Sequence, residues 1–185
     1  MKIKNKISKP VSILIGPEGG FSGHELEGFL NLMGLNKLDL QPIGKILEDL
    51  SSVEYLNHII IGLDKATKAE FEDAKRFFNR LQVPHTIIWN DGPSQTGLRQ
   101  SLVNSGLEIG EQGKGRNVWT CIGHVISRGK AEVIGFHDCD ILTYDRDLLA
   151  RLVYPVSNPV FDYEFCKGYY PRVDGKKLNG RVTRL

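Results

Sequence analysis

The clearest strand signal in the chain is HIIIGLD, residues 58–64. Its β-branched and apolar residues follow one another without the polar alternation of a half-exposed strand, a pattern typical of a strand buried on both faces of a parallel sheet. Asp64 closes this run. Because ligands bind beyond the carboxyl ends of the strands in open α/β sheets, we expect Asp64 to begin a functional loop.

Three further apolar runs predict strands, and segments of helical period separate the runs: VSILI (11–15), HTIIWNDG (85–92) and AEVIGFHDCD (131–140). Residues 68–82 carry apolar side chains three and four positions apart, which predicts an amphipathic crossover helix. A weaker helical pattern covers 117–127, and a short helix over 147–156 is predicted to stop before Pro155. This alternation predicts an α/β fold with a mostly parallel sheet, in a single domain over 1–185.

The composition is that of an ordinary globular chain. With 185 residues, of which 41% are hydrophobic and 25% charged, the chain is long enough to bury its own core. A net charge of +2 gives no reason to expect binding to nucleic acid or to a membrane. Three cysteines without a CxxC pair favour reduced thiols, and the apolar stretch near the N-terminus is too short for a signal peptide or a membrane span. We expect a cytoplasmic protein, and a homodimer is left open.

Two carboxylates, Asp138 and Asp140, stand one residue apart directly after the last apolar run. Like charges this close repel each other and resist burial. One interpretation is a solvated turn, in which aspartate side chains cap backbone groups. The other is a Mg²⁺ or Mn²⁺ ion, which prefers one or two carboxylates together with the phosphate oxygens of a substrate.

The segment GEQGKGRNVW, residues 110–119, sets Lys114 between two glycines at the start of a predicted helix. Backbone N–H groups, the helix dipole and the lysine ammonium can meet an anion at such a turn. A flexible loop is the alternative, since the full GxxxxGK[ST] pattern of a P-loop is absent. Together with the acidic pair, the turn favours a metal-bridged diphosphate and therefore sugar-nucleotide chemistry.

From about Gly44 to Leu185 the chain resembles the N-terminal part of GT-A-fold glycosyltransferases of the glucosyl-3-phosphoglycerate and glucosylglycerate synthase type. The matching stretches are YLNHIIIGLDKAT, WNDGP, GKGRNVW, FHDCDILTYDRDLLARLVYPV, FCKGYYPRV and LNGRVTRL. The resemblance implies transfer of a hexose, with retention, from a UDP- or GDP-sugar to a small anionic acceptor such as 3-phosphoglycerate or glycerate. It identifies no catalytic residue.

The resemblance also implies roles for single residues. Asp138 and Asp140 match the DxD motif that holds the divalent cation and, through it, the donor's diphosphate. Asp64 matches a position that contacts the nucleoside, although it is equally a candidate N-cap for the helix that follows. Lys114 and Gly115 match the GKG loop near the nucleotide.

The GRVT loop, which in the family holds the phosphate or carboxylate of the acceptor, is matched by Gly180, Arg181, Val182 and Thr183. An arginine offers a bidentate fork to such an oxyanion. The family continues beyond this motif, with a further metal-ligating histidine, and this sequence stops at Leu185. We therefore expect an incomplete site, and an inactive nucleotide-binding fragment is an alternative.

The N-terminal region resembles a different family. The segment IGPEGGFS resembles the S-adenosylmethionine loop of SPOUT-class rRNA uridine-N3 methyltransferases, over roughly residues 11–50. Gly16, Gly19 and Gly20 can let the backbone approach a cofactor, or the segment can be a strand-to-helix turn with Ser22 as N-cap. Residues 1–43 are thus of uncertain origin, and a SAM-dependent rRNA methyltransferase is the alternative function.

Overall fold

Four parallel strands form the central sheet of the computed structural model, which describes residues 11–15, 41–137, 141, 143–168, 172–174 and 177–179. The strands of this sheet are β1 (Val11–Ile15), β2 (Leu56–Leu63), β3 (His85–Trp89) and β4 (Val133–His137). Two short strands, β5 (Arg172–Asp174) and β6 (Lys177–Asn179), pair antiparallel with each other. The helices are α1 (Gln41–Ser51), α2 (Lys68–Phe78), α3 (Pro93–Asn104), α4 (Lys114–Arg128) and α5 (Arg146–Ser157).

The strand order is β3-β2-β1-β4, so β1 lies between β2 and β4. Within β1, Ile13 is paired with Ile59 on one side and with Gly135 on the other. The chain moves outward from β1 to β3 and then crosses back to place β4 on the far side of β1. Sheets with such a reversal hold their ligands in the crevice beyond the carboxyl ends of the strands. The predicted α/β class and parallel sheet are confirmed.

Each face of the sheet is covered by helices, which explains why β2 shows no polar alternation. Ile59, Ile61 and Leu63 of β2 belong to one buried cluster, together with residues of α1, α2 and α5. Ile60 faces the opposite way and packs in a second cluster with Cys121 and Val125 of α4. A strand buried on both sides gains free energy from apolar residues at every position.

The crossover helix α2 begins at a capping box. The backbone N–H of Glu70 donates to the Thr67 hydroxyl at 3.3 Å, and the N–H of Thr67 donates to the Glu70 carboxylate at 2.6 Å. Thr67 is therefore the N-cap, and the alternative interpretation of Asp64 as the N-cap is wrong. This leaves Asp64 in the loop between β2 and the cap.

Helix α5 does not stop before Pro155 but continues to Ser157. Its buried residues Leu149, Val153 and Ser157 recur at four-residue steps, so the side that packs on the protein extends beyond the proline. The ring removes one hydrogen bond near the helix end, and the N–H of Asn158 still donates to the carbonyl of Tyr154 at 3.0 Å. The free energy gained from packing on both sides of Pro155 therefore exceeds the cost of the lost hydrogen bond.

Helices α1 and α3 were not predicted from the sequence. Helix α3 has proline at its first turn after the N-cap Gly92, and it buries no residue. A helix without a buried face has no apolar periodicity from which it could be predicted. Within the described residues, no helix combines the length and apolar character needed to cross a membrane.

We expect acid to destabilise the fold through His58 of β2. Burial lowers the pKa of His58 to about 4, and Arg128, His124, His85 and Lys130 act in the same direction. An unfolded histidine titrates near about pH 6.5, so the unfolded chain binds more protons than the folded chain between the two values. The free energy of unfolding should therefore fall as the pH drops through this window, by up to about 1.4 kcal/mol per pH unit.

Urea unfolding of the native protein and of His58→Gln at pH 7 and pH 4.5 measures this contribution. The raised pKa of Asp64 acts with the opposite sign, because a protonated carboxyl is favoured in the folded chain. The difference between the two proteins isolates His58, and the variant should lose less stability on acidification. An identical pH dependence in both proteins would contradict the assignment.

Candidate functional site

The structure brings part of the predicted site together at the carboxyl edge of the sheet. Asp64 is the first residue after β2, and Lys114 and Gly115 form the first turn of α4. The carboxyl ends of β2 and β3 lie against this turn through Asn117. The remaining predicted residues lie outside the described part of the chain: Asp138, Asp140, Gly180, Arg181, Val182, Thr183 and the segment 16–24.

Asp64 is a buried carboxylate that faces the guanidinium of Arg116. Its side chain has no solvent exposure, and Arg116 Nη2 of α4 lies 3.7 Å from its Oδ1 atom. Neither carboxylate oxygen accepts a hydrogen bond from the described residues, and the Nε atom of Arg116 is likewise buried without one. Both members of the pair thus keep unused hydrogen-bonding capacity.

Burial raises the pKa of Asp64, and the charge of Asp91 acts in the same direction. Arg116, the Gln112 amide and Lys65 oppose this shift. The Gln112 amide donates its hydrogen bond to Asp91 Oδ1, at 3.0 Å, and not to Asp64 itself. A buried carboxylate whose charge is only partly compensated is a candidate for binding a ligand that donates hydrogen bonds.

The loop that carries Asp64 is held by residues that follow β3. The indole N–H of Trp89 donates to the carbonyl of Ala66 at 2.7 Å, and the N–H of Ala66 donates to Asp91 Oδ2 at 3.0 Å. Lys65, which stands between Asp64 and Ala66, has a φ of 56°, in the left-handed region that non-glycine residues rarely adopt. Such local strain persists where the surroundings fix the backbone, and it is concentrated at functional sites.

The GKG turn depends on glycine at its first position. Gly113 is the N-cap of α4 with φ 147° and ψ −171°, a conformation that is essentially restricted to glycine. No side chain caps the helix at this N-cap, and its first turn contains no acidic residue. The first N–H groups of α4, beside Lys114 and Arg116, are therefore suited to an anion.

Asn117 fixes the start of α4 against the sheet. Its Nδ2 donates to the carbonyl of Gly62 at 3.2 Å, and its Oδ1 accepts from Asn90 Nδ2 at 2.7 Å. The thiol of Cys121 also donates to Oδ1, at 3.7 Å. Burial raises the pKa of Cys121 to about 12, so this thiol belongs to the packing and is not a nucleophile.

Several residues of this arrangement were not predicted from the sequence: Asn90, Asp91, Gln112, Arg116 and Asn117. Asn90 and Asp91 stand in WNDGP directly after a predicted strand, which is the signal that could have found them. The contacts of Gln112 and Arg116 have no counterpart in local sequence pattern. Among the described residues, no three histidine, cysteine, aspartate or glutamate side chains are grouped so that they could hold a metal ion.

Comparison with curated proteins finds two relatives with the same name. The chain is 44% identical over 141 residues to a glucosyl-3-phosphoglycerate synthase of Persephonella marina, covering 76% of this chain and 35% of the relative. It is 35% identical over 147 residues to a glucosyl-3-phosphoglycerate synthase of Methanococcoides burtonii, covering 78% of this chain and 36% of the relative. The chain thus spans roughly a third of the length of these relatives.

No family model matches the chain, and no solved structure matches it either. The two relatives nevertheless confirm the resemblance predicted from the motifs, to the N-terminal part of an enzyme of the glucosyl-3-phosphoglycerate synthase type.

We predict that Gly62→Ala destabilises the fold. An alanine Cβ at this position would lie only 2.7 Å from the amide nitrogen of Asn117, inside any normal contact distance. The clash is relieved only if the Asn117 amide gives up its hydrogen bonds to Gly62 and Asn90 or α4 moves away from β2, and overpacking of this kind costs roughly 1–3 kcal/mol. The free energy of unfolding in urea measures the effect.

Gly123→Ala is the matched control, because it makes the same change within α4 where a Cβ meets no atom within 4 Å. It should leave stability unchanged or increase it by up to about 1 kcal/mol, since alanine favours a helix. Equal stability of the two variants would show that α4 does not approach β2 closely at Gly62.

Proposed function

We propose that this chain forms the donor-binding part of a retaining GT-A-type glycosyltransferase. The proposed reaction moves a hexose from a UDP- or GDP-sugar to a small anionic acceptor such as 3-phosphoglycerate or glycerate. The observation that carries the proposal is the similarity to two proteins named glucosyl-3-phosphoglycerate synthase. The parallel sheet and the arrangement at its carboxyl edge agree with it.

The donor's diphosphate is proposed to lie in the crevice between β1 and β4. The strand order reverses at β1, and β4 ends at His137, one residue before Asp138. In this proposal Asp138 and Asp140 hold a Mg²⁺ or Mn²⁺ ion, which supplies positive charge to the diphosphate leaving group. The mutual repulsion of the two carboxylates is then offset by the cation.

The GKG turn is proposed to bind the nucleotide from the side of β2. The uncapped start of α4 supplies backbone N–H groups at Gly115, and Lys114 supplies a cation. Asp64 is proposed to accept a hydrogen bond from the nucleoside, which supplies the donor that its two oxygens lack among the described residues. Arg116 restrains that carboxylate at 3.7 Å.

The acceptor is proposed to be held by the segment from Gly180 to Thr183. The guanidinium of Arg181 can form two parallel hydrogen bonds to a phosphate or a carboxylate, and Gly180 leaves the backbone N–H groups accessible. Such a pair of charge-assisted hydrogen bonds favours a small anion over a neutral hydroxyl compound.

Calorimetric titration tests the donor site. UDP-glucose and GDP-glucose are titrated into the chain in the presence of Mg²⁺ and again in EDTA, and we expect binding of one donor that weakens at least tenfold without the metal. In Asp138→Asn/Asp140→Asn the residual affinity should be the same with and without Mg²⁺. Binding that is indifferent to the metal in the native chain would refute the cation site.

Lys114→Gln should weaken nucleotide binding by ten- to a hundredfold, because a charge-assisted hydrogen bond contributes about 1.5–3 kcal/mol. Lys45→Gln is the matched control, since Lys45 is exposed on α1 and is not part of the proposed site. The dissociation constant of UDP, measured by the same titration, should be unchanged in the control. Equal affinities in both variants would exclude the GKG turn from the site.

A further inference from the structure

A cluster of basic side chains lies at the opposite, amino-terminal edge of the sheet. A shallow pocket there is lined by Asn57 and His58 from the start of β2, by Arg128 at the end of α4, and by Lys130 just beyond it. Helix α4 has 15 residues, so at 1.5 Å per residue this pocket is about 20 Å from the GKG turn. It is a separate feature from the proposed donor site.

The permanent charges in this cluster, on Arg128 and Lys130, are both positive. The charged groups that act on the pKa of His58 are Arg128 and His124 of α4, His85 of β3, and Lys130. All of them are basic. Among the described residues neither Arg128 nor Lys130 forms an ion pair with a carboxylate. Arg128 and Lys130 are both exposed, so their cationic groups are accessible to an anion from solution.

Hydrogen-bonding capacity in the cluster is also unused. His58 Nε2 is paired with the Thr86 hydroxyl at 2.8 Å, and its Nδ1 atom makes no hydrogen bond to a described residue. His124 Nε2 is buried without a partner among the described residues. Arginine at a helix C-terminus is favoured by the helix dipole, which accounts for Arg128. The dipole does not account for Lys130 or for the position of His58.

We propose that this pocket binds a phosphate-type oxyanion, held by Arg128 and Lys130 with His58 as a third donor. A guanidinium fork matches two phosphate oxygens, and the ammonium of Lys130 adds a second charge. The neutral His58 ring can serve as this donor, because Nε2 can accept from the Thr86 hydroxyl at 2.8 Å while the other ring nitrogen, Nδ1, carries the proton. The phosphate dianion, which predominates at pH 7.5, is the form that the two cations favour.

NMR titration of the histidine ring signals tests the site directly. Inorganic phosphate and glycerol 3-phosphate are added to the full chain at constant ionic strength and pH 7.5. We expect a saturable shift of the His58 Cε1–H signal. Tighter binding of glycerol 3-phosphate indicates an ester ligand, and equal binding indicates recognition of the phosphate group alone.

The variant R128Q/K130Q should weaken phosphate binding at least tenfold. The control K75Q/R76Q removes the same charge from exposed positions of α2 and should bind as the native chain does. Circular dichroism verifies that both variants fold, and Lys130→Gln alone serves if the double variant does not. The proposal is overturned if phosphate leaves the His58 signal unmoved, or if R128Q/K130Q binds as tightly as the control.

Discussion

Asn117 makes the contact on which the carboxyl edge of the sheet depends. Its buried amide donates to Gly62 at the end of β2 and accepts from Asn90 after β3, so one side chain ties α4 to two strands. The absence of a side chain at Gly62 lets the helix approach closely enough for this. Lys114 and Arg116 stand within one turn of Asn117, and the position of both relative to Asp64 follows from it.

The environment of Asp64 combines a rigid frame with incomplete compensation of charge. The backbone C=O and N–H of Ala66 are hydrogen-bonded to Trp89 and Asp91, and these two bonds restrain the loop. Arg116 at 3.7 Å is too distant for a short hydrogen bond, and burial still raises the pKa of the carboxyl. A site that is fixed in advance and lacks only a donor loses little conformational entropy when a ligand supplies one.

Helix α4 joins two electrostatically different regions. At its start, Arg116 lies 3.7 Å from the carboxylate of Asp64. At its end, Arg128 lies in a cluster of basic residues and has no acidic partner among the described residues. The proposed nucleotide and oxyanion sites therefore use opposite ends of one helix. Any displacement of α4 along β2 would alter both, because the same Asn117 contact sets the position of the whole helix.

Much of the fold could be predicted from local pattern. Hydrophobic residues close together in the sequence predict the strand at 58–63 and the helix at 68–82. The end of that strand also places Asp64 at the start of a loop. Helix α3 was not predicted because it buries no residue and so has no apolar pattern. Helix α5 continues past Pro155 because the packing of Val153 and Ser157 outweighs the lost hydrogen bond. In α5 the helix-breaking tendency of proline conflicts with tertiary packing, and in α3 the sequence contains no apolar pattern.

The sequence by itself determined the α/β class, the strand that ends at Asp64 and the glycine-bracketed Lys114, since each depends on properties of a few consecutive residues. Only the tertiary structure decided that Arg116 faces Asp64, that Asn90 and Asn117 pair across 27 positions of the chain, and that Asn117 reaches Gly62 across 55. The physical reason is that a hydrogen bond between distant residues requires a complementary partner at the right place in space. No periodicity along the chain records where that partner will be.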